Sequence, residues 1–135
     1  MRYKKIKPYK YRNLADESVN FDYAGDILCA DIQIFTGKLN IMLGFEWDGA
    51  SGPAFDTKNS MKASMFHDAG CRLINKGLLG KSERKKVDRL YYDICLKEGM
   101  NPFRAWYQYQ AIRFYQRNKK KFEKLEADYN KVYEV

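Results

Sequence analysis

The sequence predicts an α+β domain, in which an N-terminal antiparallel hairpin or small sheet is followed by a three-helix core. Residues 26–46 partly alternate β-branched or aromatic side chains with polar ones, as strands do. A helical period of apolar residues begins near residue 60. The chain has 135 residues, of which 45% are hydrophobic, and this is enough for one packed core. We therefore treat residues 1–135 as a single domain.

Three strands are expected in the first 50 residues. Strands at 26–35 and 38–46 flank a TGK step, which has the composition of a hairpin turn. A third, short strand is expected near 18–23. The stretch WDGASGP at 47–53 contains two glycines and a proline, so it is expected to be a loop that leads into the helices.

Two helices are expected next. The first, at 60–76, follows from a stripe of apolar residues at helical spacing, and the glycines of NKGLLGK end it. The second is expected at 83–98, where Ser82 has the chemistry of an N-cap and Gly99 that of a helix end.

A third helix is expected to begin at Asn101-Pro102, which has N-cap and first-turn chemistry, and to run to about residue 127. Aromatic and apolar side chains cover most of its circumference at first, so this part is expected to be largely buried. From residue 117 onward the sequence turns charged and amphipathic.

The chain is basic, with a net charge of +8 from 25 Lys+Arg against 17 Asp+Glu. Much of this charge lies at the two ends, in residues 1–12 and 117–124. Such ends favour an anionic partner, which could be phosphate, a lipid surface or nucleic acid. The alternative is a lysine-rich surface that only contacts water.

The cysteines Cys29, Cys71 and Cys95 are odd in number and form no CxxC pair, which excludes a disulfide framework and a zinc ribbon. They are typical of small buried thiols in a reducing compartment. No apolar run reaches the roughly 18 residues of a membrane span, and the first residues are too polar for a signal peptide. The protein is therefore expected to be made in a cytoplasm and not to be secreted by a signal peptide.

The chain's only histidine, His67, lies in MFHDAGCRLI and is followed directly by Asp68. On a helix Asp68 points about 100° away from His67, so a partner for the imidazole has to come from another element. Asp88 lies among apolar positions of the second helix, where a carboxylate needs a partner, and His67 and Arg72 are the candidates. A ring held by Asp88 would present its other nitrogen as a general base near neutral pH.

Two metal sites are compatible with these residues. Asp68 could hold a hard divalent cation such as calcium, together with Asp48 and carbonyl groups of the DGASG loop. Alternatively, His67, Asp48 and Asp88 could form a mixed site, although a single histidine disfavours zinc. The non-chemical interpretation is that His67 is a hydrogen-bonded core residue and that Asp48 forms a turn.

Cys71 lies four residues after His67, at the spacing of a Cys–His pair on one helix face. It follows Gly70 in a helix interior, and no third group is apparent in the sequence. Cys71 is therefore not assigned as a nucleophile at this point.

The ordered segments GFEWDGASGP, MFHDAGCR, RKKVDRLYYDICLKEGM and AWYQYQAIRFY resemble a family of small phage and prophage proteins classified as a domain of unknown function. The likeness covers about residues 43–115. Its pattern is G-F-x-x-D-G-A-S-x-P, then H-D-x-x-Y-R, then R-x-x-x-D-x-x-[FY]. This chain departs from the pattern at Gly52, before the proline, and at Cys71, where the family commonly has tyrosine. The matching residues are Asp48, Gly49, Ala50, Ser51, Pro53, His67, Asp68, Arg72, Arg84, Asp88 and Tyr92.

This resemblance implies a phage-encoded protein that acts in the host cytoplasm or in the assembled virion, with other phage proteins as partners. It also implies a set of binding residues beside His67 and Asp88: Asp48, Gly49, Ala50, Ser51, Arg72, Arg84 and Tyr92.

A second similarity concerns layout only. Secreted phospholipases of the A-two class carry H-D-x-x-Y on one helix and D-R-x-x-x-x-C-[FY] on the next, and HDAGC with DRLYYDIC is similar to them. In those enzymes the histidine activates water, the following aspartate binds calcium and the second-helix aspartate orients the histidine. The layout implies a hydrolase of the lipase, esterase or peptidase kind, with His67 and Asp88 as its catalytic pair.

Two other function classes are compatible with the sequence. The protein could be a non-enzymatic virion or tail-assembly component or a host-interaction module, in which the His-Asp-Arg set only locks the helices together. It could also bind nucleic acid through its basic ends.

Overall fold

A computed structural model describes residues 1–7, 10–48 and 57–115 of the chain. Within these ranges seven strands come first and three α-helices follow, which confirms the predicted α+β fold. The strands are β1 (Tyr3–Lys7), β2 (Lys10–Asn13), β3 (Glu17–Asn20), β4 (Ile27–Cys29), β5 (Ile32–Phe35), β6 (Lys38–Ile41) and β7 (Glu46–Asp48).

The strands form two antiparallel sheets, with the orders β1-β2-β7 and β3-β6-β5-β4. The strand expected at 26–35 is in fact a hairpin of β4 and β5, because the chain turns at Ala30, whose φ is 45°. Alternation of polar and apolar residues continues across this turn, since Ile27 pairs with Ile34 on the same face. One long strand and two short paired strands therefore look alike in sequence.

The strand expected at 38–46 ends at Ile41 in the four-stranded sheet. The next strand, β7, begins at Glu46 in the other sheet and includes Trp47 and Asp48, so the expectation that these two residues lie in the loop is wrong. The TGK turn is confirmed: Thr36 and Gly37 both have positive φ, 50° and 72°, as the two central residues of a tight hairpin turn require. Strands β1 and β2 were not predicted, because their lysine-rich composition hides the pattern of a strand.

The helices are α1 (Lys58–Asn75), α2 (Arg84–Lys97) and α3, which is described over residues 102–115. The first two agree with the predicted helices to within two residues at each end. Ser82 does not cap α2, because a 3-10 turn at Lys81–Glu83 leads directly into that helix. Gly99 ends α2 with a φ of 88°, as predicted. The cap of α3 is also confirmed, since Asn101 Oδ1 accepts hydrogen bonds from the backbone N–H groups of Phe103 and Arg104.

The expectation that the first half of α3 is largely buried is wrong. Phe103, Trp106 and Tyr107 are 75%, 51% and 53% exposed, whereas Ala105 and Gln108 are buried. Helical spacing does not show whether a large aromatic side chain is exposed. A helix with aromatic residues on all of its faces can still pack against the rest of the protein through one face only. The continuation of the helix to residue 127 and the basic stretch 117–124 lie outside the described residues.

Helix α1 lies at the centre of the molecule and packs against both α2 and β7. The indole Nε1 of Trp47 on β7 donates a hydrogen bond to Ser64 Oγ on α1 at 3.1 Å, which fixes the sheet against the helix.

None of the helices in the described ranges is both long and apolar enough to cross a membrane. The largest fully buried side chains of the core include Trp47, Tyr91, Phe45, Phe66, Met65 and Leu73.

At Gly70, α1 packs against α2 without room for a side chain. A Cβ atom at this position would lie 2.7 and 2.9 Å from the two methyl carbons of Val87. Glycine is otherwise unfavourable inside a helix by about 1 kcal/mol relative to alanine. The close contact with α2 therefore explains why a glycine occupies this position.

We expect Gly70→Ala to lower the free energy of unfolding by about 1–2 kcal/mol, because overpacking costs more than the gain in helix propensity. Val87 is stiff at χ1 and cannot move its methyl groups away freely. The measurement is urea unfolding followed by circular dichroism. In a Val87→Ala background the same change should become neutral or stabilising; equal destabilisation in both backgrounds would contradict the assigned contact.

Candidate functional site

Helices α1 and α2 bring His67 and Asp88 into direct contact. Asp88 Oδ1 lies 2.7 Å from His67 Nε2, and the aspartate side chain has no exposed surface while that of His67 is 17% exposed. The pairing follows from the two helices packing side by side, with both residues on the facing sides. Of the two partners predicted for the buried carboxylate, the histidine is thus the one that α1 supplies.

The second oxygen of Asp88 is bound from α3. Arg113 Nη1 donates a hydrogen bond to Asp88 Oδ2 at 2.7 Å, and the arginine side chain is 22% exposed. Sequence reasoning missed this residue. A signal was present, because Arg113 is the only charged residue in AWYQYQAIRFY, much as Asp88 lies among apolar positions on α2. One carboxylate thus joins all three helices.

The environment of His67 keeps its imidazole charged at neutral pH. Burial alone would lower the pKa of His67, but the hydrogen bond with Asp88 and the contact with Cys71 outweigh burial and raise the pKa of His67 to about 9. At pH 7 both ring nitrogens therefore carry protons, and Nε2 donates to Asp88. A charged ring is unfavourable for the predicted general base near neutral pH, since a base must first be unprotonated.

Cys71 lies next to the same ring. Its Sγ atom is 3.8 Å from Nδ1 and 3.8 Å from Nε2 of His67. Because the two distances are equal, the sulfur is aligned with neither ring N–H, and the contact is electrostatic rather than a directed hydrogen bond. The directed contact comes from α2, where Arg84 Nη1 donates to Cys71 Sγ at 3.1 Å. The thiol thus lies between an imidazolium and a guanidinium.

Arg72 binds away from Asp88. Its Nη2 atom donates to Asp68 Oδ2 at 3.0 Å and to the carbonyl oxygen of Glu46 at 2.9 Å. The guanidinium carbon also lies 4.5 Å from the ring centroid of Phe45. Arg72 therefore ties α1 to the region of β7, and of the two candidate partners of Asp88 it is the one that does not bind the carboxylate.

Asp68 and Asp48 lie close enough to influence each other. Burial raises the pKa of Asp68, the guanidinium of Arg72 opposes this, and the charge of Asp48 adds to the rise. Asp48 ends β7 and is exposed. The other predicted loop residues, Gly49, Ala50 and Ser51 together with Pro53, lie outside the described residues.

The described residues do not supply a cation site. Calcium takes about six to eight oxygen ligands, whereas no group of three or more His, Cys, Asp or Glu side chains within the described ranges could hold a metal. The Asp68 carboxylate is already bound by Arg72. In the mixed site considered from the sequence, Asp88 would have to leave His67 and Arg113. We therefore derive no chemistry through a metal ion.

Tyr92, the last of the predicted binding residues, lies at the contact between α2 and α3. Its ring centroid is 5.8 Å from that of Tyr109, and the guanidinium carbon of Arg89 lies 4.7 Å from it. Tyr92 thus packs with aromatic and cationic side chains. Of the residues predicted to bind, Arg84 is the one whose hydrogen bond reaches the histidine's immediate neighbour, Cys71.

Comparisons with protein-family models, with curated proteins and with solved structures find no match to this chain.

Proposed function

We propose that this protein is a hydrolase that uses a cysteine nucleophile: Cys71 attacks, His67 transfers protons and Asp88 orients the imidazole. The observation that supports the proposal is the unbroken series of contacts from Cys71 through His67 and Asp88 to Arg113. In the sequence Cys71 lacked a third group. Asp88 is that group, since it binds the ring through Nε2 and leaves Nδ1 for chemistry.

Two cationic side chains lie beside the Cys71 sulfur. Arg84 donates to the sulfur at 3.1 Å, and the charged ring of His67 lies beside it. The raised pKa of His67, about 9, suits a ring that starts the reaction as an imidazolium and acts as an acid first.

The reaction follows from these positions. The Cys71 thiolate attacks the acyl carbon, a C–S bond forms and the carbonyl electron pair moves onto oxygen. The His67 imidazolium gives its Nδ1 proton to the leaving oxygen or nitrogen as the bond between the acyl carbon and this leaving atom breaks. A thioester on Cys71 remains. Neutral His67 then takes a proton from water as the water oxygen attacks the thioester carbon. The C–S bond breaks, and the carboxylic acid, the thiolate and the imidazolium result.

A small rotation has to precede the first step. The sulfur lies off the N–H direction of Nδ1, so the proposed reaction requires a change in the side-chain torsions of Cys71 or His67 that aligns the two groups. Catalytic hydrogen bonds are often poorly aligned without substrate and tighten when it binds. Asp88 acts here as a positioning residue, and Arg113 holds Asp88 in turn.

We expect Cys71→Ala to reduce hydrolysis of p-nitrophenyl esters by about 10³-fold or more, because the nucleophile is removed while the three-helix network remains. The assay is release of p-nitrophenol by the full-length chain, with mass spectrometry of a trapped acyl-enzyme. Cys29→Ala is the matched control, since Cys29 is a partly buried thiol on β4.

The wild-type protein should carry one acyl group on Cys71 when reaction is stopped early, and Cys29→Ala should behave as wild type. Turnover by Cys71→Ala at the wild-type rate, or no turnover by the wild-type chain on ester, lipid and peptide substrates, would refute the proposal. We also propose a phage origin, phage partners and a place in the host cytoplasm or virion. The motif resemblance over residues 43–115 is the only support for these three proposals.

A second candidate function is a non-enzymatic phage protein, such as a virion or tail-assembly component or a host-interaction module. It is favoured by one observation: Asp88 is fully buried and each of its oxygens is bound to a different helix, as in a structural network. In that case His67→Ala and Asp88→Ala lower the melting temperature by many degrees, and the wild-type chain forms no acyl-enzyme.

A further inference from the structure

A shallow, largely open cavity of about 410 Å³ lies between the 3-10 turn at Lys81–Glu83, the first half of α2 and α3, and it is separate from the Cys71 site. It opens on a different face of α2, since Arg89 is rotated by about 100° from Asp88 around the helix. Three cations and two hydroxyl groups line it: Lys85, Lys86, Arg89, Ser82 and Tyr109.

The guanidinium of Arg89 is held in place while its outer nitrogens stay available. Its carbon lies 4.7 Å from the ring centroid of Tyr92 and 5.9 Å from that of Tyr109. Its Nε atom donates to Asp93 Oδ1 at 3.3 Å. Within the described part of the chain, Nη1 and Nη2 have no hydrogen-bond acceptor. These two nitrogens form the planar fork that binds two oxygens of one anion.

The two lysines differ in their roles. Lys86 donates to the carbonyl oxygen of Asp22, lies 2.9 Å from Glu83 Oε2 and sits 5.4 Å from the ring of Phe21, so its charge is fixed in position. Lys85 is exposed, and none of the ion pairs among the described residues includes it. Its three ammonium protons are therefore available to a ligand.

We infer that this cavity binds the phosphate group of a small phosphomonoester. The Arg89 fork, the Lys85 ammonium and the hydroxyls of Ser82 and Tyr109 together supply more donors than the two oxygens of a carboxylate use, and they suit the three terminal oxygens of a phosphate. Because the cavity is open to solvent, the group that carries the phosphate can extend out of it. The inference does not depend on the proposed hydrolase.

The test is titration of the full-length chain with glucose 6-phosphate, inorganic phosphate and glucose, followed by calorimetry and by NMR chemical shifts. Arg89→Ala should weaken the binding of glucose 6-phosphate by about tenfold or more, because a charge-assisted hydrogen-bonded pair is lost. Arg89→Lys keeps the charge without the fork and should also weaken it. Lys97→Ala is the matched control, as Lys97 lies on the same helix about 18 Å from Lys85.

The site is supported if glucose 6-phosphate binds saturably and both Arg89 variants weaken this binding. Lys97→Ala should leave the affinity unchanged within about twofold. Inorganic phosphate should bind more weakly and glucose should not bind. The inference is overturned if no phosphorylated ligand saturates, if Lys97→Ala weakens binding as much as Arg89→Ala, or if only DNA or phosphatidylserine vesicles bind. Should Arg89→Ala fail to fold by circular dichroism, Lys85→Ala takes its place, since the Lys85 side chain is exposed and belongs to none of the ion pairs among the described residues.

Discussion

Asp88→Ala is expected to lower the free energy of unfolding by about 3–5 kcal/mol, the cost of removing one member of a buried ion pair. The variant leaves the imidazolium of His67 and the guanidinium of Arg113 without the carboxylate that both contact at 2.7 Å. These two cations then repel each other in a poorly hydrated space between three helices. The measurement is urea unfolding at pH 7, compared with wild type.

The matched control is Asp93→Ala. Asp93 is also on α2 and also pairs with an arginine, Arg89, but the two side chains are 50% and 58% exposed. Exposed pairs contribute about 0–1 kcal/mol, so this variant should be close to wild type. A loss for Asp88→Ala as small as that of Asp93→Ala would contradict the central role assigned to the buried carboxylate.

A concerted change should restore much of the stability. Asp88→Leu combined with His67→Leu and Arg113→Met removes all three buried charges, and well-packed apolar substitutes for a buried ionic group are often neutral or stabilising. Such a variant should fold and yet lack any acyl-enzyme. It therefore separates the structural contribution of the network from its chemical one.

The folded protein should lose about 3 kcal/mol of stability as pH rises from 6.5 through 9, because the His67 pKa is raised from 6.5 to about 9 in the fold. A group whose folded pKa is raised holds its proton more tightly when folded. Its contribution is complete below the unfolded pKa and is lost as pH rises through the folded one. The expected measurement is the urea midpoint at half-unit intervals from pH 6 to pH 9.

His67→Gln is the control for this pH dependence, since glutamine can still donate to Asp88 but does not titrate. Its stability should be nearly flat over the same interval. Burial raises the pKa of Cys95 from 9.0 to about 12, so that thiol destabilises the fold only above pH 9 and stays outside the window. A wild-type curve as flat as that of His67→Gln would mean that the histidine is not charged in the folded protein.

Local signals in the sequence were sufficient for a large part of the fold. Helices α1 and α2, the Asn101 cap and the TGK turn were predicted because each depends on a few neighbouring residues and their backbone preferences. The division of residues 26–35 into two strands and the exposure of α3 were not predictable. Both depend on which distant surface each segment contacts, and residue periodicity does not contain that information.

In the candidate site too, some features follow from the sequence and others only from the tertiary structure. Sequence alone determined that Asp88, placed among apolar positions, needed a partner and that His67 was one of two residues able to supply it. The tertiary structure decided that His67 is that partner, that Arg113 is a second one, and that Gly70 is needed for the helices to approach. It also decided the charge of the ring, because a pKa depends on burial and on distances between groups that are far apart in the chain.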